Sequence, residues 1–452
     1  MSLGFLRRSC VTLGLFAVVA ASAACGGGAS AGGVGGTAQH GAPAELDSLV
    51  GRAAAGDAGA ITALRGQREA GLAAVLAVYD ATTDETQKAA LRPVIDSVAK
   101  QRDAHVSRLY WYTNLIDAEG AARASGRPIL ALQLLGNLDE DLSCANSRFF
   151  RTTLYANKEV SDYLRAHYVL LWQSERPAPT ITIDYRDGRK VTRTITGNSI
   201  HYVLDEDGRP VDALPGLYGP QAWKQALVRA EAQAIATRGT KGEARQVLLR
   251  AFHTGANRDI AARFRTDVGL AGMPAIPLPI TIPGPVPGAP GVAAAPLPAL
   301  MAMNIAPSKA AVEMRPLKGF MPGAPPAETV PWSALAPQHR TEARLDAQSK
   351  ALIREKHPRN WSDAESPGRP LSAPELESLY EAFETSMAED TAKNELGIHA
   401  NIHRWLAEQP LDLPSLNKHV YDTLFNTPAS DPWLGLVPPN AYTGLQDDGI
   451  KQ

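Results

Sequence analysis

The sequence has little surplus charge of either sign. Lys and Arg number 45 against 47 Asp and Glu, a formal net charge of −2. There is no basic stripe with interleaved aromatics either, so nucleic acid is excluded as an expected partner. Beyond the N-terminal segment no apolar run reaches the length that spans a bilayer. Cysteine is scarce as well: Cys10, Cys25 and Cys144 are the three, and where each lies decides which chemistry is open to the chain. What remains, 452 residues of ordinary apolar content, permits two or three domains with real cores.

The N-terminus reads as an address. Met1 to Arg8 ends in Arg7-Arg8. Val11 to Ala21 is an apolar run too short for a stable bilayer anchor, and Ala21-Ser22-Ala23-Ala24 offers small residues to a peptidase. Residues 1–24 are therefore expected to be a secretory signal peptide. Cys25 directly after Ala24 resembles the lipobox of bacterial lipoproteins, with Ser22 where that family usually has Leu. The resemblance implies acylation of Cys25 and a membrane contact through the lipid. The Gly- and Ala-dense residues 25–43 would then be a flexible tether. Cleavage near Ala23 or Ala24 without lipidation, leaving a soluble secreted protein, is the alternative. Arg7-Arg8 also raises a twin-arginine signal, which the residues after it fit poorly. The expected location is the cell envelope, on the periplasmic or extracellular face.

On this reading Cys10 leaves with the signal peptide and Cys25 sits at the extreme terminus. Cys144 is then the one free thiol in an oxidising compartment, where structural cysteines normally come in pairs. Such a thiol is either buried and inert or kept for reactivity.

Residues 44–106 read as a helical region, with Leu46, Leu49, Val50, Ala53 and then Leu72, Val75, Leu76 and Tyr79 at helical spacing. Leu109 to Ala124 is amphipathic and stops at Gly126-Arg127-Pro128. Pro128 to Leu135 is a buried-strand run, Cys144 opens a helical stretch with Phe149, Phe150 and Leu154 that Val160, Tyr163 and Leu164 continue, and Tyr168 to Trp172 is a further strand. Asp187-Gly188 and Asp207-Gly208 mark two hairpins, and Pro220 suits the first turn of a helix through Ala230. Residues 238–271 are a short helical segment and residues 272–330 a Pro/Ala-rich linker. Residues 331–452 form a helical C-terminal domain in which Ser372-Ala373-Pro374-Glu375 is a capping-box start.

The order helix, strand, helix, strand, hairpin insert, strand, strand, helix resembles the thioredoxin-like superfamily over about Leu109 to Thr237. The cysteine at a helix start after the first strand, and the closing hairpin followed by a helix, carry the resemblance. The implied fold class is an α/β thioredoxin-like central domain, residues 107–237, flanked by mainly helical N- and C-terminal regions. Two positions depart from the family. Cys-x-x-Cys is replaced by Cys144-Ala145-Asn146-Ser147, and Thr196-Gly197-Asn198-Ser199-Ile200 lacks the cis-proline.

A thiol at a helix N-terminus is favoured as thiolate by unpaired amides and the helix dipole. Ser147, one turn on, offers a hydroxyl but cannot resolve a mixed disulfide. Dithiol cycling is thereby excluded. Monothiol redox or thiol-binding chemistry remains, with an envelope protein or a small thiol as partner through Cys144. Against it, the acidic run Asp139-Glu140-Asp141 opposes a thiolate nearby. Asn146 and Asn198 either line the cleft or bond locally in turns. The competing expectation is a non-catalytic interaction or scaffold module. No cofactor is expected. A second constellation, Glu395-x3-His399-x3-His403, places three possible metal ligands on one helix face; a solvated edge is the alternative.

Overall fold

A computed structural model describes residues 43–278, 303, 305–317, 330–356, 371–434 and 444–450. The signal peptide, Cys25, most of the tether and most of the Pro-rich linker lie outside the described residues.

Ile129–Leu135 (β2) is the middle of the molecule. Every residue of it is buried, as a run apolar but for Gln133 requires, and Gln133 donates to Gln173 of the neighbouring strand at 3.0 Å. On its left it pairs in parallel with Val169–Arg176 (β3), Ile129 opposite Val169. On its right it pairs antiparallel with Ile200–Leu204 (β6), Ile129 opposite Leu204. Trp111–Tyr112 (β1) adds in parallel to the outer side of β3, and Pro210–Pro215 (β7) adds antiparallel to β6. The five-stranded mixed sheet thus runs β1-β3-β2-β6-β7, and the hairpin of Thr180–Asp184 (β4) and Lys190–Thr194 (β5) stands apart from it. Both Asp-Gly turns form as their sequence predicts, with Gly188 and Gly208 at φ +97° and +73°.

The alternation of a strand sends β2 into two cores. Ile129, Ala131 and Leu135 face a cluster that includes Leu64, Leu72, Val75, Leu91 and Ile95 of the N-terminal helices. Leu130, Leu132 and Leu134 face another, with Leu164, Trp223 and Leu227. Each fully buried Leu contributes about 1.5–3 kcal/mol, so neither face tolerates water. The N-terminal helices are α1 (Pro43–Ala54), α2 (Ala58–Gly66), α3 (Arg68–Ala81) and α4 (Glu85–Ala99). Asp57 and Asp84 start α2 and α4 by accepting from the amides of Ala60 and Thr86. A single turn, α5 (Ala104–Ser107), follows.

One expected element divides. The amphipathic stretch from Leu109 contains strand β1 before helix α6 (Leu115–Ser125). Asn114 sets the break, because its side chain accepts from the amides of Ile116 and Asp117 and the helix cannot start earlier. The helices α7 (Ala145–Phe149), α8 (Lys158–His167) and α9 (Pro220–Ala236) complete the α/β unit. The helical piece after Thr237 is one long helix, α10 (Gly242–Leu270).

The described C-terminal helices are α11 (Pro307–Leu317), α12 (Trp332–Leu335), α13 (Ala347–Lys356), α14 (Ala373–Lys393), α15 (His399–Glu408) and α16 (Leu413–His419). The capping box forms at α14, the Ser372 amide donating to Glu375 at 2.8 Å. These helices join the same two cores: Leu416, Val420 and Tyr421 enter the first, and Tyr380 and Met387 the second. Among the described residues no helix is long and apolar enough to cross a membrane.

Asp390 of α14 pins α11. It accepts from the hydroxyl and the amide of Ser308 in a fully buried position. Burial pushes its carboxyl up to about 8, against the pull of the Ser308 donors. The folded chain thus holds a proton that the unfolded chain releases above about pH 4. Stability from this site is full below that value and is lost as pH rises through about 8. Asp390→Asn keeps a neutral side chain there, and urea midpoints on either side of this window should differ less in the variant than in the wild type. An unchanged pH slope would show that Asp390 does not hold the proton.

Candidate functional site

β2 delivers Cys144 to its place. The strand ends at Gly136, which turns the chain at φ +77°, where a Cβ would stand 3.0 Å from the Ser143 Cα. Only glycine combines that conformation with that approach. The Cys144 amide then returns to donate to the Leu135 carbonyl at 3.1 Å, holding the cysteine beside the end of the strand. Cys144 is the N-cap residue of α7.

Its thiol faces hydroxyls. Ser199 Oγ, at the entry to β6, lies 2.8 Å from Cys144 Sγ, and Ser147 Oγ lies 3.6 Å away, accepting from the thiol. Ser147 is itself held 2.7 Å from Ser143 Oγ and 2.8 Å from the Cys144 carbonyl. Asn146 Nδ2 donates to Asn198 Oδ1 at 3.2 Å, so the two asparagines join across the cleft. Thr196, at φ +55°, bends the chain into this loop. The position where the resemblance implies a proline is thus taken by a serine that bonds the sulfur.

The cleft is closed. Cys144 has no exposed surface. Tyr421 donates from its hydroxyl to the Asn198 carbonyl at 3.1 Å and shares the core with Cys144. On another side α11 packs on α7. It brings a buried ion pair, Lys309 Nζ to Glu313 Oε2 at 2.8 Å. Burial pushes the Glu313 carboxyl up; Lys309, Arg148 and the Ala145 amide pull it down. Glu313 thus lies near enough to the start of α7 to feel both Arg148 and the Ala145 amide. Arg148 reaches Thr194 Oγ1 at 2.8 Å and ties the β4–β5 hairpin to the same wall.

Among the described residues the thiol's side-chain partners are serines, with no base beside them. His201 follows Ile200 on β6 and so points to the opposite face, against the rings of Phe150 and Trp223. Burial lowers its pKa to about 3, and the neutral ring meets the Tyr155 hydroxyl at 2.6 Å. In the acidic run, Asp139 pairs with Lys100 and Asp141 with Arg102, each at the surface.

The histidine constellation is resolved differently. His399 and His403 stack with ring centroids 4.1 Å apart, both buried. Their carboxylate is Asp212 of β7: His399 Nε2 lies 2.9 Å and His403 Nδ1 3.7 Å from Asp212 Oδ1. His253 of α10 joins them, its Nδ1 2.8 Å from His403 Nδ1. Glu395 is not brought to the pair. It belongs to the π turn Asn394–Ile398, whose wider turn breaks the four-residue alignment with His399. Its carboxylate meets Arg229 and Arg263 and gathers with His339 and Glu342.

No family model, curated protein or solved structure compared with the chain matches it. The site therefore has to be read from its own geometry. Glu313, Tyr421, Asp212 and His253 are outside the reach of local spacing, since their partners lie far away in the chain. Asp212 alone carries a signal, a charge inside the otherwise apolar run Pro210–Leu214.

Ser199→Ala leaves the thiol with Ser147 alone and should lower stability by about 0.5–1.5 kcal/mol. Urea denaturation checks this, and an unchanged midpoint would mean that the contact between Ser199 and Cys144 contributes nothing.

Proposed function

We propose that the chain is a lipid-anchored protein of the bacterial cell envelope whose central thioredoxin-like domain serves as a non-catalytic scaffold. The reading rests on one observation above all: Cys144 is fully buried beneath segments of its own chain. The cleft in which a redox member would receive a partner is filled by Tyr421 and flanked by α11. The thioredoxin-like assignment draws support from Cys144 opening a helix directly after β2. The closing antiparallel pair β6–β7, followed by α9, supports it too. Lipid attachment at Cys25 draws its support from the lipobox resemblance and the Gly-rich tether.

A scaffold role also accounts for the chemistry around the sulfur. Among the described residues there is no second thiol, Ser199 bonds the sulfur, and α11 packs on the helix that Cys144 opens. Each favours a thiol that packs over one that attacks. The same domain presents its outer helices and the β4–β5 hairpin for contact with envelope partners.

Monothiol chemistry at Cys144, with Ser147 as its hydroxyl neighbour, is the second reading. It is favoured by the make-up of the cover, which consists of C-terminal segments and not of the sheet itself. Displacing Tyr421 would open the sulfur to a small thiol or a partner disulfide.

One experiment separates the two. Cys144 of the native chain should resist a maleimide or disulfide reagent and react fully only in denaturant; fast stoichiometric reaction of the native chain would overturn the scaffold reading in favour of monothiol chemistry. Tyr421→Ala should speed the native reaction, with a stability loss of about 3–5 kcal/mol. Palmitate labelling of wild type against Cys25→Ala tests the anchor, and equal labelling of both would remove it.

A further inference from the structure

Three histidines and one aspartate converge in the dry interior from three separate elements. Asp212 comes from β7, His253 from α10, and His399 and His403 from successive turns of α15. All four are buried. We propose that Asp212, His399 and His403 are the ligands of a structural site for a divalent transition metal of the zinc class, with His253 against His403 at its edge, which ties the sheet to the C-terminal helices.

The donor set fits that ion. Imidazole nitrogen and carboxylate oxygen are the ligands zinc takes besides thiolate, and the three residues are buried away from solvent. Ligands on a tetrahedron of 2.0–2.1 Å bonds stand about 3.3 Å apart. Here His399 Nε2 and His403 Nδ1 stand 2.9 and 3.7 Å from Asp212 Oδ1, and the three ligand atoms all lie within 4.8 Å of one another. These spacings bracket that edge length. Calcium and magnesium prefer shells of oxygen and are disfavoured by three nitrogens.

The alternative is a chain of hydrogen bonds alone. His399 Nε2–H can donate to Asp212, and one N–H can serve the His253–His403 contact. That chain gives little reason for the convergence. The stacked His399 and His403 rings both turn a nitrogen to the same Asp212 oxygen, and only His399 comes within hydrogen-bond distance of it. A metal uses the nitrogen lone pairs that a hydrogen-bond chain leaves facing one another.

The site has a structural consequence. Among the described residues there is one cysteine, Cys144, and it is free, so a disulfide cannot join β7 to the distant α15. A metal holding Asp212 against two residues of α15 closes that long loop in the way a cross-link would, and its binding energy becomes folding energy.

The test uses the purified full chain, stripped with chelator and titrated with Zn2+ or Co2+. One tight equivalent is expected, with the strong visible absorption of tetrahedral Co2+ and a rise in thermal midpoint on loading. His399→Ala/His403→Ala should abolish binding, and His253→Ala should weaken it by about 10- to 100-fold. X-ray absorption of the zinc-loaded wild type, which does not depend on any variant folding, should show nitrogen and oxygen ligands with imidazole scattering. No stoichiometric binding by the wild type, sulfur ligation, or undiminished binding in the double variant would each overturn the site.

Discussion

A strand without a wet face governs this structure. β2 carries apolar side chains on both sides, and its alternation divides them between two cores. Covering one side takes α8 and α9, which the α/β unit supplies from nearby sequence. Covering the other takes the N-terminal helices and the C-terminal π segment at Tyr421, from the two extremes of the described chain. The helical regions are therefore not appendages to the sheet. The hydrophobic penalty of an exposed β2 face holds them there.

The same constraint decides the state of Cys144. The cysteine follows β2 and shares the core of Ile129 and Leu135. Whatever buries that face buries the sulfur. A serine from the β6 entry, an asparagine pair and a tyrosine hydroxyl then pair part of the polar surface trapped with it, while Asn146 Oδ1 and Thr196 Oγ1 have no hydrogen-bond partner. The wall built by Glu313 and Lys309 adds a buried ion pair. Such a pair is a weak contributor to net stability, yet leaving either partner alone would be costly.

Wide π turns occur at Phe150–Leu154, Asn394–Ile398 and Val420–Leu424. Each adjoins a packed site: the helix after Cys144, the His399–His403 pair, and the Tyr421 cover. One extra residue per turn re-aims the side chains on either side of it. Glu395 and His399 are four apart in sequence and face different partners for that reason.

Local pattern determines much of the rest. The buried run Ile129–Leu135, the Asp-Gly hairpins, Pro220 at the start of α9 and the Ser372–Glu375 box form as written, because each depends on neighbours within a few residues. The place of Cys144 at a helix start after a strand is legible in the same way. β1 is hidden, since two residues carry no periodicity and its partner is in β3. The pairing of His399 and His403 follows from helical spacing, whereas Asp212 and His253 come from other elements. The sequence by itself determined which segments must be strand or helix and where the lone thiol stands between them. Only the tertiary structure decided that the thiol is covered and that Asp212, not Glu395, meets the histidines, because burial and long-range contact depend on how both faces of β2 are closed, and no local spacing encodes that.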